Sequence, residues 1–68
     1  MIVRVNGRPA ELPEGATVAD AVKAVGIDGE NRGIAVAVDG EVVRGTDWER
    51  TRLLERQAVE VVRAVQGG

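Results

Sequence analysis

Residues 34–43 read Ile34-Ala35-Val36-Ala37-Val38-Asp39-Gly40-Glu41-Val42-Val43, and this run decides the fold. An unbroken apolar stretch over 34–38 is what a strand shows when at least one face is covered and a neighbour lies on each side, so it is predicted to be the central strand of a sheet. Asp39-Gly40 suits the positive backbone angles of a type I′ turn, which returns the chain into Glu41-Val42-Val43-Arg44 as a hairpin partner.

Upstream, residues 28–33 are polar and irregular, and before them lies a short helix. Thr17-Val18-Ala19-Asp20 has the form of a capping box, the Thr17 hydroxyl accepting an early helix N–H and the Asp20 carboxylate reaching back. Val18, Ala21, Val22 and Val25 follow at i, i+3, i+4 and i+7, with Asp20 and Lys23 turned outward and Gly26 where a left-handed C′ residue belongs. A one-sided helix of this kind lies on a sheet, each buried aliphatic side chain stabilising by roughly 1.5–3 kcal/mol before chain entropy is counted. Ile27 is expected to follow it into the core. Nearer the amino terminus, Ile2-Val3-Arg4-Val5 and Arg8-Pro9-Ala10-Glu11-Leu12 flank Asn6-Gly7, a second type I′ signal. Val3 and Val5 share one face and Arg4 the other, while Pro9 lacks an N–H and assigns its strand to a sheet edge.

Downstream, Thr46 or Asp47 is expected to cap a short turn carrying Trp48, and residues 50–56 are charged apart from Thr51, Leu53 and Leu54. Charges such as Glu49-Arg50 and Glu55-Arg56 read as a solvated face. A sheet lined by Val and Ala leaves gaps that one large ring fills, so Trp48 is assigned to the core rather than to a partner contact. The last strand begins near Ala58, with Val59 and Val61 on one face and Glu60 and Val62 on the other, and it runs into Gly67-Gly68. Glycine has no Cβ, so such an end can enter a channel too narrow for other residues. Ile2, Ala35, Ala37 and Val62 fall on the open side of the sheet and are the candidates for partner docking.

Composition removes whole classes of function. Sixty-eight residues, 1–68, make a single domain near the lower size limit for folding without a staple. There is no cysteine and no histidine, which removes disulfides, thiolate zinc sites, the usual general base and the usual metal ligand. Asp28, Glu30 and Asp39 do not follow a calcium-loop spacing, so no metal site is assigned. A net charge of −2, a pI of about 5.0 and a single aromatic residue give nucleic-acid binding little to stand on. No run approaches the roughly 20 apolar residues of a membrane span, and no signal-peptide pattern opens the chain, so the expected location is the cytoplasm.

The order strand, strand, helix, strand, strand, strand is that of an α+β ubiquitin-like β-grasp, a mixed sheet of about five strands with one main helix across it. The run from Ile34 to Val43, then Trp48, then Val59-Glu60-Val61-Val62-Arg63-Ala64-Val65-Gln66-Gly67-Gly68, resembles the bacterial sulfur-carrier proteins of thiamine biosynthesis, the ThiS family. The resemblance covers essentially the whole chain. Two departures stand out. Arg56-Gln57 replaces the family's common Gly-Asp before the last strand, so either a left-handed angle there costs roughly 1 kcal/mol or the turn is built differently. Arg44-Gly45 stands where a Pro-Arg pair is common.

The resemblance implies a carrier rather than an enzyme. A free α-carboxyl is ionised at neutral pH and resists nucleophilic attack until activated. In the resembled family an E1-like adenylyltransferase joins that carboxylate to AMP using ATP and magnesium, and sulfur from a cysteine desulfurase persulfide or similar donor converts it to a thiocarboxylate. Thiazole synthase then receives the sulfur for the thiazole ring of thiamine. Gly68 would carry the adenylate and then the sulfur, and Gly67 would thread the tail, which from Val65 onward spans at most about 14 Å. No cofactor is bound by the chain itself. The alternatives are a carrier supplying sulfur for molybdopterin or another metabolite, a modifier that conjugates to protein lysines, and a noncovalent β-grasp interaction module with an inert tail.

Overall fold

Two turns with left-handed backbone organise the sheet. In the computed structural model, which describes residues 1–26 and 33–63, Asn6 and Gly7 take φ of 53° and 82°, and Asp39 and Gly40 take 50° and 88°. Positive φ at both central residues is the type I′ geometry whose twist matches the flanking strands. The first turn joins β1 (Ile2–Val5) to β2 (Arg8–Glu11), and the second joins β3 (Ile34–Val38) to β4 (Glu41–Val43), both antiparallel. Helix α1 (Val18–Ala24) lies between the hairpins in sequence, a 3₁₀ turn (Gly45–Asp47) follows β4, and β5 (Ala58–Arg63) comes last.

The strand order is β2-β1-β5-β3-β4, with β5 parallel to β1 and antiparallel to β3. The central strand is therefore β5, which corrects the expectation for residues 34–38. Strand β3 does have a neighbour on each side, β5 and β4, but it stands one place from the edge. Continuous apolarity reports that a strand is flanked; it does not report which distant strand inserts beside it. Pro9 sits on β2, an edge strand, where its missing N–H costs no ladder bond.

One face of the sheet carries the core. Val3 and Val5 of β1, Val36 and Val38 of β3, and Val59 and Val61 of β5 meet Val18, Ala21 and Val22 of α1, with Leu12, Ala16, Trp48 and Leu53 in the same buried cluster. The capping box of α1 forms, and the Asp20 carboxylate accepts from the Thr17 N–H at 2.9 Å and from the Thr17 hydroxyl at 3.3 Å. Two further N–H groups at the helix start are satisfied by the chain around Trp48. Val18 N–H donates to Thr51 O at 2.9 Å and Ala19 N–H to Trp48 O at 3.1 Å, which ties the helix to that segment.

Trp48 is 5% exposed, and its indole N–H donates to Val43 O at 2.9 Å, so the large ring fills the core with its polar atom paired. Two local expectations need correction. Val25 is 40% exposed, because α1 ends at Ala24 and Val25 takes φ −93° and ψ 13°, off the helical stripe; Gly26 does supply the left-handed position, at φ 86°. The turn after β4 starts two residues earlier than a Thr46 cap would place it, with Arg44 as its N-cap and no side-chain cap, so Thr46 and Asp47 lie inside it. Ile27, Asp28 and Glu30 lie outside the described residues.

Candidate functional site

Gly67 and Gly68 lie outside the described residues, so the site's geometry is that of the scaffold leading to them. Strand β5 supplies that scaffold. Val59 aligns with Val5 of β1 on one side and Val38 of β3 on the other, and the pairing with β3 continues to Arg63 opposite Ile34. Val59 and Val61 point into the core, at 1% and 8% exposure, so these two alternate residues of β5 are clamped by packing as well as by the ladder.

Both type I′ turns also reach β5 with their first residue. The Asp39 carboxylate accepts from Ala58 N–H at 3.0 Å and from the Gln57 side-chain amide at 3.1 Å, and Asp39 N–H donates to Ala58 O at 2.8 Å. Asn6 N–H donates to Val59 O at 2.8 Å; its side-chain oxygen accepts from Val61 N–H at 2.8 Å, and its amide nitrogen donates to Val61 O at 3.2 Å. Sequence reading missed both roles. Asn6 and Asp39 signalled turns, and nothing local to them points to a strand that follows much later in the chain.

The open face of the sheet is mixed. Ile2 and Val62 are exposed at 46% and 59%, Ala35 is exposed and Ala37 half-buried, beside the charged Arg4 and Glu60. Val42, at 77%, is the most exposed large apolar residue there and was not among the predicted docking residues. A two-residue turn at Asp39-Gly40 aligns Val42 with Ala37, so the signal was present in the hairpin register. A cleft of about 240 Å³, lined by Ile2, Val3, Arg4, Pro9, Glu55 and Arg56, lies near the start of β5. Arg56 there takes φ 69°, the left-handed position the sequence flagged, and its N–H donates to Ile2 O at 2.7 Å. The exposed Glu55 carboxylate accepts from Ile2 N–H at 3.0 Å.

Among the described residues no group of three or more His, Cys, Asp or Glu side chains is placed to hold a metal ion. No helix among them is long and apolar enough to cross a membrane.

Comparison with known proteins adds three findings. The family model described as the ThiS family matches residues 3–68. Among solved structures, a crystal structure of the thiamine biosynthesis protein ThiS from Geobacter metallireducens is similar at a TM-score of 0.78 and 26% identity, over 100% of both chains. A solution structure of a thiamine biosynthesis protein from the same organism gives 0.77 and 26%, covering 100% of this chain and 88% of that one. In sequence, the threonine–tRNA ligases of two Thermus thermophilus strains are 49% identical over 37 residues, which is 54% of this chain but only 6% of the ligase. So small a share of a ligase carries none of its activity to this chain.

Proposed function

The chain belongs to the ThiS family, the sulfur carriers of thiamine biosynthesis, and on that premise we propose that its Gly68 α-carboxylate is the group that carries the sulfur. The observation that supports this most is that the family match runs through residue 68, so it takes in both glycines downstream of the most interior strand.

The proposed chemistry follows from the end group. A carboxylate is a poor electrophile, and an adenylating partner using ATP and magnesium makes it an acyl adenylate with release of pyrophosphate. The terminal sulfur of a persulfide, supplied by a cysteine desulfurase or similar donor, attacks the acyl carbon, and AMP leaves with the bonding pair. A second thiol then takes the donor's sulfur as a disulfide and frees the thiocarboxylate. Thiazole synthase is the proposed acceptor. The chain's own residues perform none of these bond changes. They hold β5 in place while the tail enters a partner's site, and Gly67 permits close backbone approach there. With no cysteine in the chain, no internal thiol competes for the activated acyl group.

ATP-dependent pyrophosphate release with a bacterial adenylating enzyme of this class tests the reading, comparing the full chain with a variant lacking Gly68. The full chain should support release and the shortened chain should not, although both melt at the same temperature. Equal release from both would contradict the assignment. No release from either, together with retained partner binding, would favour the noncovalent module.

A further inference from the structure

Strand β1 stops before β5 does. The parallel ladder between them pairs Arg4 with Ala58 and Val5 with Val59, carried by Arg4 N–H to Gln57 O at 2.9 Å and Asn6 N–H to Val59 O at 2.8 Å. If β1 continued, the next rung would use the carbonyl of Asn6 and the N–H of residue 8. The chain has instead turned away, with Asn6 at φ 53° and Arg8 already opening β2 opposite Val5.

The Asn6 side chain fills that rung. Its Oδ1 accepts from Val61 N–H at 2.8 Å and its Nδ2 donates to Val61 O at 3.2 Å. A side-chain amide offers one oxygen and N–H groups on a planar unit, as a peptide does, so it can stand in for the missing backbone. The β1 edge is thereby extended by one rung toward the end of β5 that leads to Gly67 and Gly68. Asparagine is suited twice over, because it tolerates the left-handed backbone and carries both a donor and an acceptor; glycine meets the first requirement only.

We propose that Asn6 is a positioning residue for transfer at Gly68: its amide holds the β1 side of β5 at Val61, sets the direction of residues 61–63 within the sheet, and so aims the chain that follows them at the partner's site. This rests on the carrier reading above. Delivery of a reacting group is sensitive to such aim, since a misplacement of about 1 Å can cost about a hundredfold in rate.

The test uses the full chain with Asn6→Gly, which keeps the left-handed turn and removes the amide, and Asn6→Asp, which keeps an acceptor for Val61 N–H and loses the donor. Amide hydrogen exchange at Val61 and steady-state adenylation by the partner enzyme are measured well below the melting temperature. For Asn6→Gly, Val61 exchange should rise at least about tenfold. Its kcat should fall at least about fivefold with KM within about twofold, because the folded body still docks. Asn6→Asp should lie between it and the natural protein. Unchanged exchange at Val61 would overturn the inference on its own, whatever the chain carries. Raised exchange with a natural kcat would reduce Asn6 to a structural role and equally overturn it. A natural protein that is never adenylated would contradict the carrier reading and remove the delivery role with it.

Discussion

The two ends of β5 are held in different ways. At its start, Asp39 makes three hydrogen bonds to Gln57 and Ala58, while Gln57 O accepts from Arg4 N–H and Arg56 N–H donates to Ile2 O. Toward its finish, β3 pairs on one side as far as Arg63, and on the other a single side chain, Asn6, continues the edge. The start is tied redundantly to two hairpins, so losing one bond leaves several. The finish depends on one amide for its direction on the β1 side. Stability is therefore expected to be concentrated where the strand begins, and on the proposal above delivery is controlled where it ends.

The largest test removes the support common to both ends. Trp48→Ala should cost about 3–5 kcal/mol, since the indole is buried and its N–H is bonded to Val43 O. Hydrogen exchange should then show Val59 and Val61 losing protection together, through global unfolding rather than at one end. Loss confined to Val61 would contradict a shared core.

Asp39→Gly sharpens the contrast, because it keeps the left-handed turn and removes only the carboxylate. Loss of its bonds to Ala58 and Gln57 should cost about 1–2 kcal/mol in chemical denaturation. Adenylation kinetics measured below the melting temperature should be unaltered, the opposite of the outcome expected for Asn6→Gly. A kcat that falls in Asp39→Gly would mean that the two ends are not separable.

Arg56→Gly acts at the same end with a smaller effect. Relief of the left-handed penalty on arginine is about 1 kcal/mol, partly offset by the greater freedom of glycine in the unfolded chain. The net result should be a gain of about 0.5 kcal/mol, and a loss would show that the Arg56 side chain contributes contacts of its own. Smallest of all, Val62→Ser on the open face should change stability by less than about 0.5 kcal/mol. Partner KM should rise if that face docks, and an unchanged KM would move docking elsewhere.

Much of the scaffold was legible because its signals are local. Asn6-Gly7 and Asp39-Gly40 each need two positive φ angles, Pro9 marks an edge, Thr17 and Asp20 start a helix, and a single tryptophan among valines and alanines belongs in the core. The left-handed position at Arg56 was legible as well, through a departure from the family's glycine. Contacts between distant residues were not. Strand β3 is the more continuously apolar, yet Ala35 and Ala37 turn toward the open face, while the alternating β5 takes the centre because it pairs in parallel with β1. The Asn6 amide resembles any turn asparagine until Val61, 55 positions away, is placed beside it. Of the site itself, Gly67 and Gly68 were readable as residue types only; what the structure adds is the strand that leads to them.

The central claim is that Gly68 carries sulfur, and intact-mass analysis tests it most directly. The protein is incubated with ATP, magnesium, an adenylating enzyme of this class, a cysteine desulfurase and cysteine, and the product is fragmented to locate any change. The account predicts a mass gain equal to replacing one oxygen by sulfur, located at Gly68 and absent without ATP. An unchanged mass with several cognate adenylating enzymes, or a sulfur located elsewhere in the chain, would contradict it.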